Sequence, residues 1–220
     1  MKNVFAFLKK LEKNNNREWL NDNKDSFELA KTEFAKFSNQ LAALMTEHDT
    51  VDPKPHIFRI YRDVRFSKDK TPFKTHMAGS FKRLTPALRG GYYYHIEPGA
   101  SFLGGGFLQP NKEDLQLIRE QIQQDAAPLR EVINSNAFKS YFETLDGDQL
   151  KSAPKGFDKE DPNVDLLRHK SFIVSKKFSD EEVLSPDFHE KINEGFKNMR
   201  PFFDVMSEYL TTNLNGESIV

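Results

Sequence analysis

Between Arg59 and Phe73 the chain reads Arg-Ile-Tyr-Arg-Asp-Val-Arg-Phe-Ser-Lys-Asp-Lys-Thr-Pro-Phe. A guanidinium is a rigid planar fork that takes phosphate or carboxylate through two parallel hydrogen bonds, so arginines grouped with lysines point to an anion site. In an extended chain successive side chains face opposite ways, which puts Arg59, Asp63 and Arg65 on one face and Phe58, Ile60, Arg62, Val64 and Phe66 on the other. Asp63, flanked by guanidinium groups, would stay ionised, which suits an orienting role rather than proton abstraction near neutrality. Lys68, Lys70 and Lys74 then interleave with Ser67, Thr71 and Thr75, whose hydroxyls and neighbouring amides could complete the site. The same residues also suit an internal salt-bridge network that fixes a strand against an acidic helix. Residue types alone leave both readings open.

Other chemistries find less support. The histidines at 48, 56, 76, 95, 169 and 189 show no His-x-His or His-Glu-x-x-His spacing. His95 and Glu97 would share a strand face as a pair of metal ligands, but no third ligand has an identifiable position, and no metal is assigned. The absence of cysteine removes disulfides, thiolate metal sites and thiol nucleophiles. There is no Gly-x-Ser-x-Gly elbow. The run Gly104-Gly105-Gly106 lacks the Lys-Ser/Thr of a phosphate-binding loop and the full spacing of a dinucleotide fingerprint. Asp158, Asp161 and Asp165 lie in a polar stretch where acidic residues are routine. No cofactor is expected, and no catalytic residue can be named.

The elements that position these groups follow from periodicity. Helical spacing runs over 4–13 and stops at Asn14-Asn15-Asn16, which serve as terminator and new cap. A short turn covers 17–20. Phe27, Ala30, Phe34, Phe37, Leu41 and Leu44 then stripe one face of a helix over 24–47. Pro53 and Pro55 end that region, and 56–66 reads as a strand. Strands over 91–97 and 101–108 flank the Pro98-Gly99 turn. In this hairpin Tyr92 and Tyr94 should face the core, while Tyr93, His95 and Glu97 face outwards or towards the basic segment. The three consecutive glycines suggest a bulge or a close approach of another backbone. Helices are expected over 111–126, 128–134 and 137–145, a loop over 154–162 and a strand over 172–174. A closing helix is expected to start at Ser185-Pro186 and to be kinked or split at Pro201. The sum is an α+β protein, a single domain over 1–220, with an antiparallel sheet and helices at both ends of the chain packed against it.

Composition agrees with a globular chain: 220 residues, 37% hydrophobic, net charge −1. The even charge balance conceals segregation. Between Lys54 and Arg89 ten cations face two anions, a local net of +8 that leaves −9 for the rest. No apolar run approaches the roughly 20 residues of a membrane helix, and Val4–Leu8 is followed at once by lysines, unlike a signal peptide. The expected location is the cytoplasm, without membrane association.

The Arg59–Phe73 run resembles the signature of an uncharacterised, mainly bacterial family, domain of unknown function 2461: Arg-x-x-Arg-Asp-x-Arg-Phe, a short gap, then Lys-x-x-Tyr. Arg59, Arg62, Asp63, Arg65, Phe66 and Lys70 match, and Phe73 stands where the family usually has Tyr. Loss of that phenol would disable any family mechanism that requires it. The resemblance extends to 14–19, 93–106 and 155–170, nearly the whole chain, and it implies membership without an activity. On these grounds the expected function is binding of a small phosphorylated or carboxylated ligand by Arg59, Arg62, Asp63, Arg65, Lys68, Lys70 and Tyr93. Nucleic acid is the weaker alternative partner, with Tyr93 or Tyr61 stacking on bases. A protein-interaction domain in which the motif is architecture is the third.

Overall fold

The computed structural model describes residues 1–220. In chain order the elements are α1 (Lys2–Lys13), α2 (Arg17–Asp22), α3 (Lys24–Thr46), β1 (His56–Ile57), β2 (Met77–Lys82), β3 (Gly91–Ile96) and β4 (Phe102–Phe107). They continue as α4 (Lys112–Gln124), α5 (Ala127–Asn134), α6 (Asn136–Phe142), α7 (Val164–Leu167), β5 (Phe172–Lys177), α8 (Asp180–Leu184) and α9 (Phe188–Thr211). The strands form one antiparallel five-stranded sheet in the order β1-β2-β3-β4-β5, so the protein is α+β as its periodicity implied.

The chain groups into two compact units, each assembled from three stretches. One comprises 1–81, 93–103 and 177–194, the other 82–92, 104–176 and 195–220. No single cut in the sequence separates them.

The first unit is organised around Tyr94. Its ring, fully buried, meets Phe34 and Phe37 of α3 at 5.8 and 5.9 Å and Phe81 of β2 at 5.7 Å. Phe37 in turn stacks on Phe188 at 5.6 Å. The α3 stripe exists to make these contacts. Phe7 of α1 closes the unit's other end against Phe27 and Trp19. In the second unit Tyr92 plays the same part, packing on Phe196 and Phe203 of α9 at 4.9 and 4.8 Å. The expected inward direction of both tyrosines is therefore observed.

Caps agree with the sequence. Asn16 accepts from the Trp19 amide, Asn111 from the Asp114 amide and Ser135 from the Phe138 amide. Ser179 and Glu182 form a reciprocal capping box on α8, a helix the apolar periodicity does not announce because it is only five residues long. α9 continues through Pro201 rather than splitting there. The apolar stripe Phe196, Met199, Phe202, Phe203 and Met206 is wholly buried, and that burial outweighs the one backbone hydrogen bond proline forfeits.

Two differences from the expected strands matter for function. β1 ends at Ile57, and residues 58–76 leave the ladder as an excursion with only a Tyr61–Phe73 bridge. Burial still alternates as far as Val64, with Ile60 buried and Arg59, Tyr61 and Asp63 exposed, but Phe66 is 95% exposed. The alternating pattern is a property of extended backbone; the missing strand partner beyond Tyr61 is a property of the fold. β2 is the second difference, since Met-Ala-Gly-Ser-Phe-Lys has little intrinsic strand preference. Its Gly79 is required by packing: a Cβ there would strike the hydroxyl and ring of Tyr94. The glycine run of β4 does the same, with a Cβ at Gly106 meeting the Phe172 carbonyl.

Burial pushes the Tyr94 hydroxyl up to about 12, and that hydroxyl has no hydrogen-bond partner although Ser38, whose own hydroxyl donates to Phe34 O, lies beside it. Tyr94→Phe should therefore leave the denaturant midpoint unchanged or raise stability by up to about 1 kcal/mol. Gly79→Ala should cost about 2 to 3 kcal/mol. The double variant should recover part of that loss, because removing the hydroxyl opens room for the new methyl. Purely additive losses in urea unfolding would refute the contact.

Candidate functional site

The excursion after β1 is pinned at its base. Arg62 N donates to Pro72 O at 2.9 Å and Lys74 N to Ile60 O at 2.7 Å. The Asn15 side chain accepts from Phe73 N at 3.1 Å and donates to Phe73 O at 2.9 Å, imitating a neighbouring strand. Beyond this base the basic residues do not form one cluster. Arg65 makes a bidentate pair with Asp63 at 3.0 and 2.6 Å. Arg62 pairs with Asp69 and Thr71. Lys70 donates to Val64 O at 3.0 Å.

The carboxyls of both aspartates are depressed. Asp69 falls to about 2 through the Thr71 amide and then Arg62, and Asp63 falls through its hydrogen bonds from Arg65, with Arg59 adding a smaller electrostatic contribution. Two of the three motif guanidinium groups are thus occupied by aspartates of the same loop. Arg59 has no ion pair. It lines a cavity of about 540 Å³ with Lys31, Glu28 and Tyr61 as the other polar groups, over an apolar floor that includes Phe34, Phe58 and Met77. Lys68 has no acidic partner, and Lys74 sits 5.7 Å over the ring of Phe58.

A second constellation lies in the same unit. Tyr93, His95 and Glu97, spaced by two along β3 and its end, share a face as expected. Tyr93 Oη lies 3.0 Å from His95 Nδ1, and His95 Nε2 lies 3.1 Å from Glu97 Oε2. Because a carboxylate only accepts, Nε2 carries the proton in this arrangement, and the Tyr93 hydroxyl donates to Nδ1. Thr75 donates to the other Glu97 oxygen at 2.6 Å. Phe102 stacks on the His95 ring at 4.7 Å, and the His76 ring lies 4.0 Å from that of His95.

Burial, reinforced by His95, drives His76 down to about 4, so its imidazole is neutral at neutral pH. Burial raises the Glu97 carboxyl, but Thr75 and the two histidines outweigh that and hold it below its ordinary value. Burial and the Glu97 charge push the Tyr93 phenol up. The ligand-capable atoms of His76, His95 and Glu97 all lie within 4.8 Å of one another. His76 is the third group that spacing along β3 could not supply: it precedes β2, and only the pairing of β2 with β3 brings it to the pair.

Other cations of the basic segment are structural. Arg83, with a side chain 1% exposed, donates to Asp204 at 2.7 Å and to Ser207 Oγ and Arg89 O at 3.3 Å, within the second unit. Arg89 pairs with Asp114 at 2.6 Å. The segregated charge of 54–89 therefore does not form a single patch.

Fold and polar groups define an α+β protein carrying a cationic loop and a His/Glu cluster on one unit. The chain belongs to the conserved hypothetical protein family DUF2461, whose model matches residues 3–205, in agreement with the resemblance carried by the Arg-Asp motif. Neither a curated protein nor a solved structure matches it. No helix is long and apolar enough to cross a membrane.

The two kinds of arginine should separate in an unfolding experiment. Arg83→Ala removes buried charge-assisted hydrogen bonds and should lose about 2 to 3 kcal/mol. Arg65→Ala, at an exposed pair, should leave the guanidinium chloride midpoint where it is. A large loss for Arg65→Ala would make the motif architectural.

Proposed function

We propose that the protein binds a small organic anion, carboxylated or phosphorylated, with Arg59 as the principal anchor. The observation that carries this reading is the unpaired Arg59 guanidinium at the rim of a largely apolar cavity, beside neighbours whose guanidinium groups are already committed to aspartates. An apolar floor with cations at one side suits a ligand with an apolar body and an acidic end. Asp63, Arg62, Arg65 and Lys70 then act by stiffening the loop that presents Arg59. Tyr93 supports the floor through Phe58, its ring neighbour at 6.0 Å. Lys31 is paired with Glu28 at 3.2 Å and can exchange that partner for the ligand.

One observation favours a second reading. Phe66 stands almost wholly in solvent with the Arg65 guanidinium 5.9 Å from its ring centre and with Lys68 nearby in sequence, the composition of a stacking platform for single-stranded nucleic acid. Salt separates the two, because backbone phosphates release condensed counterions on binding whereas a small ligand does not.

The test is thermal melting with alkyl and aryl carboxylates and phosphomonoesters at fixed ionic strength. At least one compound should raise the wild-type midpoint. Arg59→Ala should melt like wild type alone and bind that compound about tenfold or more weakly. If no compound protects wild type, or if Arg59→Ala keeps the protection, the reading is wrong. Oligonucleotide binding that falls steeply with salt and is lost in Phe66→Ala would replace it.

A further inference from the structure

We infer that His76, His95 and Glu97 form a binding site for a divalent first-row transition metal ion, zinc or a close analogue, with at least one coordination position left open. Imidazole nitrogens and a carboxylate are the donor set such ions select, and three protein ligands rather than four is the arrangement that leaves room for water or a ligand.

The geometry is specific about which atoms face the ion. Thr75 holds Glu97 Oε1 and Tyr93 holds His95 Nδ1, so the two atoms with no outside partner are Oε2 and Nε2, and these face each other at 3.1 Å. Metal–ligand bonds of about 2.0–2.2 Å place two donors on one ion about 3 to 3.5 Å apart, which is the spacing already present. His76 has no hydrogen-bond partner of its own and offers a ring nitrogen within 4.8 Å of both. The ring of His95 stacks on Phe102 at 4.7 Å, with the His76 ring 4.0 Å away.

Binding requires the other tautomer of His95 and no net loss of a proton: the ring proton moves from Nε2 to Nδ1, Nε2 gives its lone pair to the ion, and the Tyr93 oxygen turns from donor to acceptor of the Nδ1 proton. Thr75 and Tyr93 are thus positioning residues: each ties down the non-ligating atom of a ligand, the arrangement that fixes the orientation of metal-bound histidine and carboxylate. The site uses none of the cavity's residues, so it stands or falls separately from the Arg59 reading.

The experiment starts from full-length protein dialysed against chelator and titrates Co2+ and then Zn2+, reading visible cobalt absorption and calorimetric stoichiometry. Wild type should bind a single ion per chain with a visible spectrum of low-symmetry nitrogen and oxygen coordination, bleached by Zn2+. His76→Gln and Glu97→Gln should each weaken binding by more than about 100-fold while the metal-free melts match wild type. Tyr93→Phe should weaken it about tenfold and alter the cobalt spectrum, and His189→Ala should change neither. Should His76→Gln fail to fold, the near-isosteric Glu97→Gln decides. Absence of stoichiometric binding by wild type, or binding unchanged in Glu97→Gln, overturns the inference and leaves the cluster as a hydrogen-bonded brace between strands.

Discussion

The alternation of β3 is the constraint on which the rest depends. Tyr92 and Tyr94 are fully buried, each at the centre of an aromatic cluster, while the residues between and beyond them, Tyr93, His95 and Glu97, carry a polar relay. Strand geometry makes these two facts one. A pleated strand sends neighbours to opposite faces, so anchoring two tyrosines in apolar packing obliges the intervening positions to share the other face. The tyrosine nearest α3 also explains Gly79 on β2, because the ring occupies the space a side chain there would need. A hydrophobic decision on one side thereby sets the register that delivers His76 to the other.

Electrostatics in the excursion from 58 to 76 follow a different logic. Its exposed ion pairs, Arg62 with Asp69 and Arg65 with Asp63, lie in high dielectric and contribute little to global stability. Their effect is local: they give shape to the loop beyond the Tyr61–Phe73 bridge, and, with the Thr71 amide leading at Asp69, they lower both carboxyls from their ordinary values. Asn15 does for the base of this loop what a strand would have done, satisfying both backbone groups of Phe73. The loop is held at its root by hydrogen bonds and shaped at its tip by charge.

The cationic loop and the His/Glu cluster occupy the same unit and share one intermediary. Phe58 lines the cavity beside Arg59 and touches Tyr93, whose hydroxyl meets His95.

Much of the architecture was legible because it depends on local periodicity. The α3 stripe, the Asn16 and Asn111 caps, the hairpin around Pro98-Gly99 and the facing of Tyr93, His95 and Glu97 all follow from spacings of two, three or four residues. The family match was legible for a similar reason, since Arg59 to Lys70 is a contiguous run. What the sequence could not determine was partnership across distance. Phe66 fits the apolar face of an extended chain, yet it projects into water because no strand lies beside it. Arg62 looks like a free fork until the loop folds Asp69 onto it. β2 is invisible to propensity, and its Gly79 is required by the ring of Tyr94. His76 is an unremarkable histidine until β2 pairs with β3. Local pattern sets which way a side chain points along its own element; only tertiary pairing decides what it then meets, and every candidate site in this protein is made of such meetings.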